Sequence, residues 1–171
     1  MSHENLDNSW TYKQVVVAID ESLPSKKAFE QALAIAKAFK ATLNLIHILA
    51  PVPEELSEIS PLTMSGSYYP STIDETLPER WQALEEQGLE LLRSRVEIAT
   101  DNGVSAKSTQ LVGQPEEKIC EFAKDVNADL IVIGSHGRTG LSELFLGSVS
   151  NYVSHHVPCA VLIVHQSEQG A

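Results

Sequence analysis

Basic residues are scarce in this sequence. Twelve lysines and arginines stand against 23 aspartates and glutamates, which gives a formal net charge of -11 at pH 7. That surplus of negative charge repels a phosphate backbone and an anionic bilayer, so we expect neither nucleic acid nor a membrane surface as a partner. A phosphate group bound by this chain must therefore be held by main-chain N–H groups rather than by a cluster of basic side chains.

Cysteines and long apolar runs are also scarce. Cys120 and Cys159 are the only cysteines, and we predict that both are buried thiols outside any disulfide framework. No apolar run approaches the roughly 20 residues of a membrane span, and the first residues, MSHENLDNSW, lack the basic and apolar segments of a secretory signal. We expect a cytoplasmic protein.

The length of 171 residues predicts a single domain over residues 1–171 with its core at about 13–165. Hydrophobic residues make up 43% of the chain, which is typical of a globular protein. Residues 51–79 are rich in proline, serine, threonine and glutamate and carry no sustained period. They predict a long irregular insertion, a loop or flap.

Strand and helix patterns alternate along the remainder of the chain. The apolar periodicity predicts strands at 14–20, 42–49, 104–112, in DLIVIG and in CAVLIVH, and helices at 25–40, from Trp81 to the Asn102–Gly103 turn, after Pro115 and through Tyr152. Five strands alternating with four helices predict an open, doubly wound parallel sheet with helices on both faces.

A glycine-punctuated segment, GSHGRTGLSELFLGSVS, follows the fourth strand. Gly134 ends that strand, Gly137 permits a tight turn, and Gly147 leads into a helix whose first N–H groups, at Ser148, Val149 and Ser150, face outward at the positive end of the helix dipole. The hydroxyls of Ser148 and Ser150 add two donors. This arrangement predicts a phosphate cradle suited to a triphosphate, although the same glycines also suit simple turns.

Three further side chains bear on this site. Asp20 ends the first strand, where ligands of open α/β sheets bind, so it could accept hydrogen bonds from ribose hydroxyls, help hold a metal ion, or serve only as a turn residue. His136, inside the glycine segment, could contact phosphate or cap a turn. We interpret His47 as a polar residue at a strand end, and the adjacent His155 and His156 as surface residues without the spacing for a shared metal ion.

The segments VVVAIDESLPSKKAFEQAL, VGQPEEKI and GSHGRTGLSELFLGSVSNYVSHHVPCAVLIV resemble the universal stress protein family, in particular its ATP-binding branch. That branch carries glycine, two residues, glycine, nine residues, glycine, then serine or threonine, and Gly134, Gly137, Gly147 and Ser148 match this pattern. The resemblance implies the strand order 3-2-1-4-5.

The resemblance also implies a role for each matching residue. Asp20 would contact the adenosine, and the main chain near Ala18, Ile19 and Ile46 would border the base. The sugar and phosphates would be contacted by Gly134, His136, Gly137, Gly147, Ser148, Val149 and Ser150.

These observations predict an ATP-binding regulatory protein of the stress response that acts as a dimeric switch. Family resemblance and the exposed apolar edge at 161–164 both indicate a homodimer, unless a loop covers that edge. One alternative is an enzyme that slowly hydrolyses ATP or transfers a nucleotidyl group, with Asp20 holding Mg²⁺ or Mn²⁺. Another is a dimeric scaffold or chaperone-like factor that binds no nucleotide.

Overall fold

A computed structural model of the chain describes residues 11–50, 77–135 and 147–165. Within these ranges, five parallel strands form one sheet and four helices cover its two faces. The elements in chain order are β1 (Gln14–Ala18), α1 (Leu23–Phe39), β2 (Thr42–Leu49), α2 (Leu77–Asp101), β3 (Ala106–Val112), α3 (Pro115–Asp125), β4 (Leu130–Gly134), α4 (Ser148–His156) and β5 (Ala160–Val164). None of the described helices combines the length and apolar character needed to cross a membrane.

The strand order is β3-β2-β1-β4-β5, which confirms the predicted doubly wound sheet. Val17 of β1 pairs with Leu45 of β2 on one side and with Val132 of β4 on the other. From β1, the chain adds β2 and β3 on one side of the sheet, and it then crosses to the other side of β1 to add β4 and β5. This reversal opens a crevice at the carboxyl ends of β1 and β4, where ligands of such sheets bind.

Two apolar layers hold the helices to the sheet. Val15 and Val17 face one side and pack with α1 and α2, whereas Val16 faces the opposite side and packs with α3 and α4. All three valines are fully buried because both faces of β1 are covered. Alternate side chains of one short strand thus organise both halves of the core.

Helix α1 has clear signals at both ends. Ser22 caps its first turn by accepting a hydrogen bond from the Ser25 N–H at 3.3 Å, and Pro24 occupies that turn. The helix ends where Lys40 adopts a left-handed conformation with φ of 54°. The start lies two residues before the predicted residue 25.

Helix α2 begins at Leu77, so the last three residues of the predicted insertion at 51–79 are helical. Residues 51–76 lie outside the described part of the chain. Phe39 of α1 is 44% exposed, and its ring and that of Tyr12 pack edge to face with their centroids 5.0 Å apart.

Candidate functional site

A cavity of about 430 Å³ opens at the carboxyl edge of the sheet, at the reversal point beside β1. The ends of β1, β2 and β4, the first turns of α3 and α4 and the middle of α2 contribute to its wall. Six of the predicted site residues line it: Ala18, Ile19, Asp20, Ile46, Gly134 and Val149. Its volume lies in the usual range for small-molecule sites.

The remaining predicted site residues divide into two groups. Gly147, Ser148 and Ser150 lie in or next to the first turn of α4, beside the lining residue Val149. His136 and Gly137 lie outside the described residues. The structure therefore places part of the predicted phosphate segment at the cavity.

The first turn of α4 is fixed to the end of β4 by two hydrogen bonds to one oxygen. The main-chain oxygen of Ser135 accepts the Gly147 N–H at 2.6 Å and the Ser150 hydroxyl at 3.2 Å. That hydroxyl also lies 3.0 Å from the Gly147 main-chain oxygen, and Ser150 is only 2% exposed. The Ser150 hydroxyl thus bonds to main chain, which differs from its expected role as a phosphate donor.

The main-chain N–H groups of this turn stand at the N-terminal end of α4. In the first turn of any α-helix these groups lack partners within the helix and carry the positive end of its dipole. Ser148, Val149 and Ser150 supply three of them at the start of α4. The Ser148 side chain is exposed.

Asp20 has a structural role in the turn that leads into α1. Its Oδ1 accepts the Ser22 N–H at 2.8 Å, and its own N–H donates to Ser25 Oγ at 2.8 Å. Within the described part of the chain, no hydrogen bond involves Oδ2. Asp20 is therefore a turn residue that also lines the cavity, where it is half-buried.

Gly134 lacks a side chain for a reason that the sequence did not show. A Cβ added there would lie 2.9 Å from both the Cβ and the carbonyl carbon of Pro24 and 3.1 Å from the Ser25 nitrogen. Glycine at this position therefore lets the start of α1 pack on the end of β4. It also lines the cavity.

Ile48 is a candidate ligand contact that the sequence interpretation missed. The main chain of Ile46 faces β1, because its oxygen accepts the Ile19 N–H at 2.9 Å, whereas that of Leu49 faces β3, because its oxygen accepts the Gly113 N–H at 3.0 Å. Main-chain groups alternate in direction along a strand, so the N–H and C=O of Ile48 face the β1 side. The β1–β2 register ends at Ala18 and Ile46, so these groups lie past the last paired residues of β1 and at the cavity.

The wall formed by α2 was also missed. Leu84, Gly88 and Leu91 of α2 line the cavity together with His47 of β2, and the sequence analysis assigned none of them to the site. Gln87 donates to Glu21 at 2.5 Å and so joins α2 to the turn after β1. A glycine inside a long helix is the one sequence signal that could have indicated a special contact here.

The described lining residues carry negative charge and no positive charge. Asp20 and Glu21 are the charged members, and neither lysine nor arginine is among them. The charge that favours an anion in this part of the cavity wall therefore comes from helix dipoles, such as that of α4, rather than from basic side chains.

The histidines and cysteines away from the cavity form no metal site in the described ranges, which contain no group of three or more potential ligands. His156 is exposed, stacks on Tyr152 at 3.8 Å and has its Nδ1 2.7 Å from the Tyr152 main-chain oxygen. Cys120 is buried as predicted, but Cys159 is only half-buried because it precedes the edge strand β5. Burial raises the pKa of both thiols above the ordinary value.

Comparison with known proteins agrees with this geometry. The family model described as "Universal stress protein family" matches residues 11–165. A universal stress protein of Synechocystis is 35% identical over 156 residues, covering 90% of this chain and 97% of its own.

Two solved structures share the fold. Universal stress protein UspA from Lactobacillus plantarum superposes with a TM-score of 0.72 at 24% identity, covering 90% of this chain and 98% of its own. A universal stress protein in complex with cAMP has a TM-score of 0.61 at 27% identity, covering 92% and 99%. With its strand order, its cavity at the reversal point and these matches, the chain belongs to the universal stress protein family.

Proposed function

We propose that this chain binds an adenine nucleotide, with ATP as the first candidate, at the carboxyl edge of the sheet. The observation that carries the proposal is that one cavity lies between two sets of main-chain groups, those of the first turn of α4 and those of Ile48. The first set suits an anion and the second suits the edge of a base. A nucleotide contains both groups in one molecule.

The phosphate end would lie at α4. The N–H groups of Ser148, Val149 and Ser150 would donate to phosphate oxygens, favoured by the helix dipole. Gly147 would keep this turn accessible, since it adds no side chain at the N-cap position. The roles of Gly134, His136 and Gly137 along the ribose and phosphates stay predictions.

The base end would lie between β2 and the apolar walls. Adenine presents a ring nitrogen acceptor, N1, beside an amino donor, N6, and the Ile48 N–H and C=O offer the complementary pair. Ile46, Ile119 and Ile133 line the cavity and would pack on the planar ring. Ala18 and Ile19 would border it from the end of β1.

Asp20 would contact the ribose. Its Oδ1 holds the turn before α1, so Oδ2 is the oxygen that would accept a ribose hydroxyl. A Mg²⁺ or Mn²⁺ ion would arrive with the phosphates, and we propose the Asp20 carboxylate as its ligand from the protein. Oxygen ligands of this kind suit both ions.

The solved relative in complex with cAMP supports an adenine nucleotide as the ligand class. The biological role that we propose is regulatory: occupancy would order the residues around the cavity and alter a surface that a partner protein recognises. The whole chain would act as one domain with its core at 13–165. It would form a homodimer through β5, whose outer edge is unpaired in the described part of the chain.

Isothermal titration calorimetry with ATP tests the binding site. We expect the wild-type protein to bind ATP and Gly147→Val to weaken binding at least about tenfold, because a branched side chain at the N-cap would obstruct the N–H groups of α4. Asn151→Ala is the matched control, since Asn151 is exposed one turn further along the same helix. Absence of ATP binding by the wild-type protein would contradict the proposal.

The enzyme alternative needs a separate assay. Purified protein is incubated with ATP and Mg²⁺ for hours, and the nucleotides are separated by chromatography. Turnover above the blank that disappears in Asp20→Ala would favour a hydrolase, whereas intact ATP with measurable binding is the outcome expected of a binding protein.

A further inference from the structure

His47 is a buried polar residue at the cavity wall, next in sequence to Ile48. It is only 7% exposed, and in the register of β2 and β3 it lies opposite Gln110. The Nε2 of Gln110 is 3.1 Å from His47 Nδ1. An amide nitrogen can only donate, so Nδ1 accepts this bond and, in the neutral ring, the proton is on Nε2.

The same amide nitrogen also bonds to α2. Gln110 Nε2 donates to the main-chain oxygen of Glu85 at 3.2 Å, using its second hydrogen. The side-chain nitrogen of Gln110, a residue of β3, therefore bonds to both the His47 ring and the main chain of α2.

Gly88 provides the space for this ring. A Cβ at position 88 would lie within 2.5 Å of both Nδ1 and Cε1 of His47. Glycine is less favourable than alanine inside a helix, so α2 is intrinsically less stable at the position where the His47 ring packs against it.

Past the end of β1, Ile48 is held from the β3 side, where the β2–β3 register continues to Leu49 and Val112 and the His47 contacts add to it. The Leu49 oxygen is bonded to the Gly113 N–H on the β3 side, and the His47 side chain fixes the preceding residue against Gln110 and Gly88. The Ile48 main chain is thus held from both flanking positions without help from β1.

We infer that His47, Gln110 and Gly88 act as positioning residues that fix the Ile48 main chain and so determine which base the cavity accepts. The inference rests on the proposed nucleotide site. Guanine presents a ring N–H donor and a carbonyl acceptor where adenine presents an acceptor and an amino donor. A correctly placed Ile48 should therefore favour adenine, and a displaced one should lose that preference while the phosphate contacts at α4 persist.

The test compares the Kd for ATP with the Kd for GTP by calorimetry in three variants. Gln110→Leu removes the hydrogen bonds at similar volume, and Gly88→Ala places a Cβ against both the Gln110 amide nitrogen and the His47 ring. Val15→Ala is the control, since Val15 is fully buried in β1 but does not line the cavity. We expect the preference for ATP to fall about fivefold in the first two variants, the effect of one neutral hydrogen bond, and to stay unchanged in the control.

A second measurement follows the ring itself. The ¹⁵N NMR spectrum of the wild-type protein should show His47 with an accepting Nδ1, and Gln110→Leu should change that signal. Wild-type protein that prefers ATP, with the same preference in both variants, overturns the inference and leaves the nucleotide site intact. If the wild-type protein binds neither nucleotide, the proposed function fails as well.

Discussion

The hydroxyl of Ser150 donates to the main-chain oxygen of Ser135 at 3.2 Å, joining α4 to the end of β4 across 15 positions of the chain. We predict that Ser150→Ala lowers the free energy of unfolding by about 1 kcal/mol, because it removes a buried hydroxyl that bonds to main-chain oxygens. Urea denaturation without nucleotide measures this. Ser148→Ala is the matched control, because the Ser148 side chain is exposed, and an equal or larger loss there would contradict the assignment.

Gly134 gives a second prediction, on packing. Gly134→Ala should lower the free energy of unfolding by roughly 1–3 kcal/mol, because the new Cβ would meet Pro24 at 2.9 Å and force α1 away from β4. The measurement is made without nucleotide, so ligand contacts cannot contribute. Ser108→Ala on the exposed side of β3 should leave stability unchanged, and a neutral Gly134→Ala would show that this close approach is relieved at no cost.

The sequence predicted features that depend on neighbouring residues better than features that depend on contacts between residues distant in the chain. Strand β2 was predicted with its observed ends, Thr42 and Leu49, because an apolar strand between a helix end and a loop is a local signal. The first strand was predicted to reach Asp20 but ends at Ala18, because Asp20 and Ser22 form a turn that begins α1.

The predictions for the site also divide into those that rest on local signals and those that depend on contacts made only in the fold. The glycine pattern indicated the start of α4, and the acidic strand end indicated Asp20. The Ser150 hydroxyl was given a ligand role because its partner, Ser135, is brought near only by the fold. The role of Ile48 and the contacts of His47 were not predicted, because they depend on where β1 ends and on Gly88, which is 41 residues from His47 along the chain.

Asp129 gives a third prediction, at the amino ends of the strands and opposite the cavity. Its Oδ2 accepts the N–H groups of Lys13 and Gln14 at 2.7 and 2.8 Å, which fixes the start of β1 to the residue before β4. Asp129→Ala should lower the free energy of unfolding by about 1–2 kcal/mol, because two N–H groups lose a charged acceptor. Asp125→Ala, at an exposed carboxylate, is the control in the same denaturation experiment, and equal losses would contradict the prediction.

The two thiols predict that the free energy of unfolding depends on pH in the alkaline range. Burial raises the pKa of Cys120 and of Cys159, so above about pH 8.5 the unfolded chain releases thiol protons that the folded chain retains. The free energy of unfolding should therefore fall as the pH rises through this range.

The double variant Cys120→Ser and Cys159→Ser tests this, since serine does not titrate there. Denaturation between pH 6 and pH 10 should give parallel curves below pH 8 and a shallower decline for the variant above it. Curves that stay parallel to pH 10 would show that the thiols are not the cause.

The proposed dimer predicts the effect of one proline on each edge of the sheet. Ala160 donates to the Asp129 oxygen and the Val164 oxygen accepts the Ser135 N–H, so these residues direct their main chain toward β4, and by alternation Ile163 directs its N–H away from the sheet. Ile163→Pro should remove a donor of the dimer interface while leaving the β4–β5 pairing in place, because proline is tolerated at an outward-facing edge position. Light scattering should then show a dimer for the wild-type protein and a monomer for the variant. Ser108→Pro is the control on the opposite edge of the sheet. The Gly113 N–H donates to the Leu49 oxygen and so faces β2, and by alternation along β3 the Ser108 N–H faces outward. If Ser108→Pro dissociates the dimer and Ile163→Pro does not, the subunits associate through β3 rather than β5.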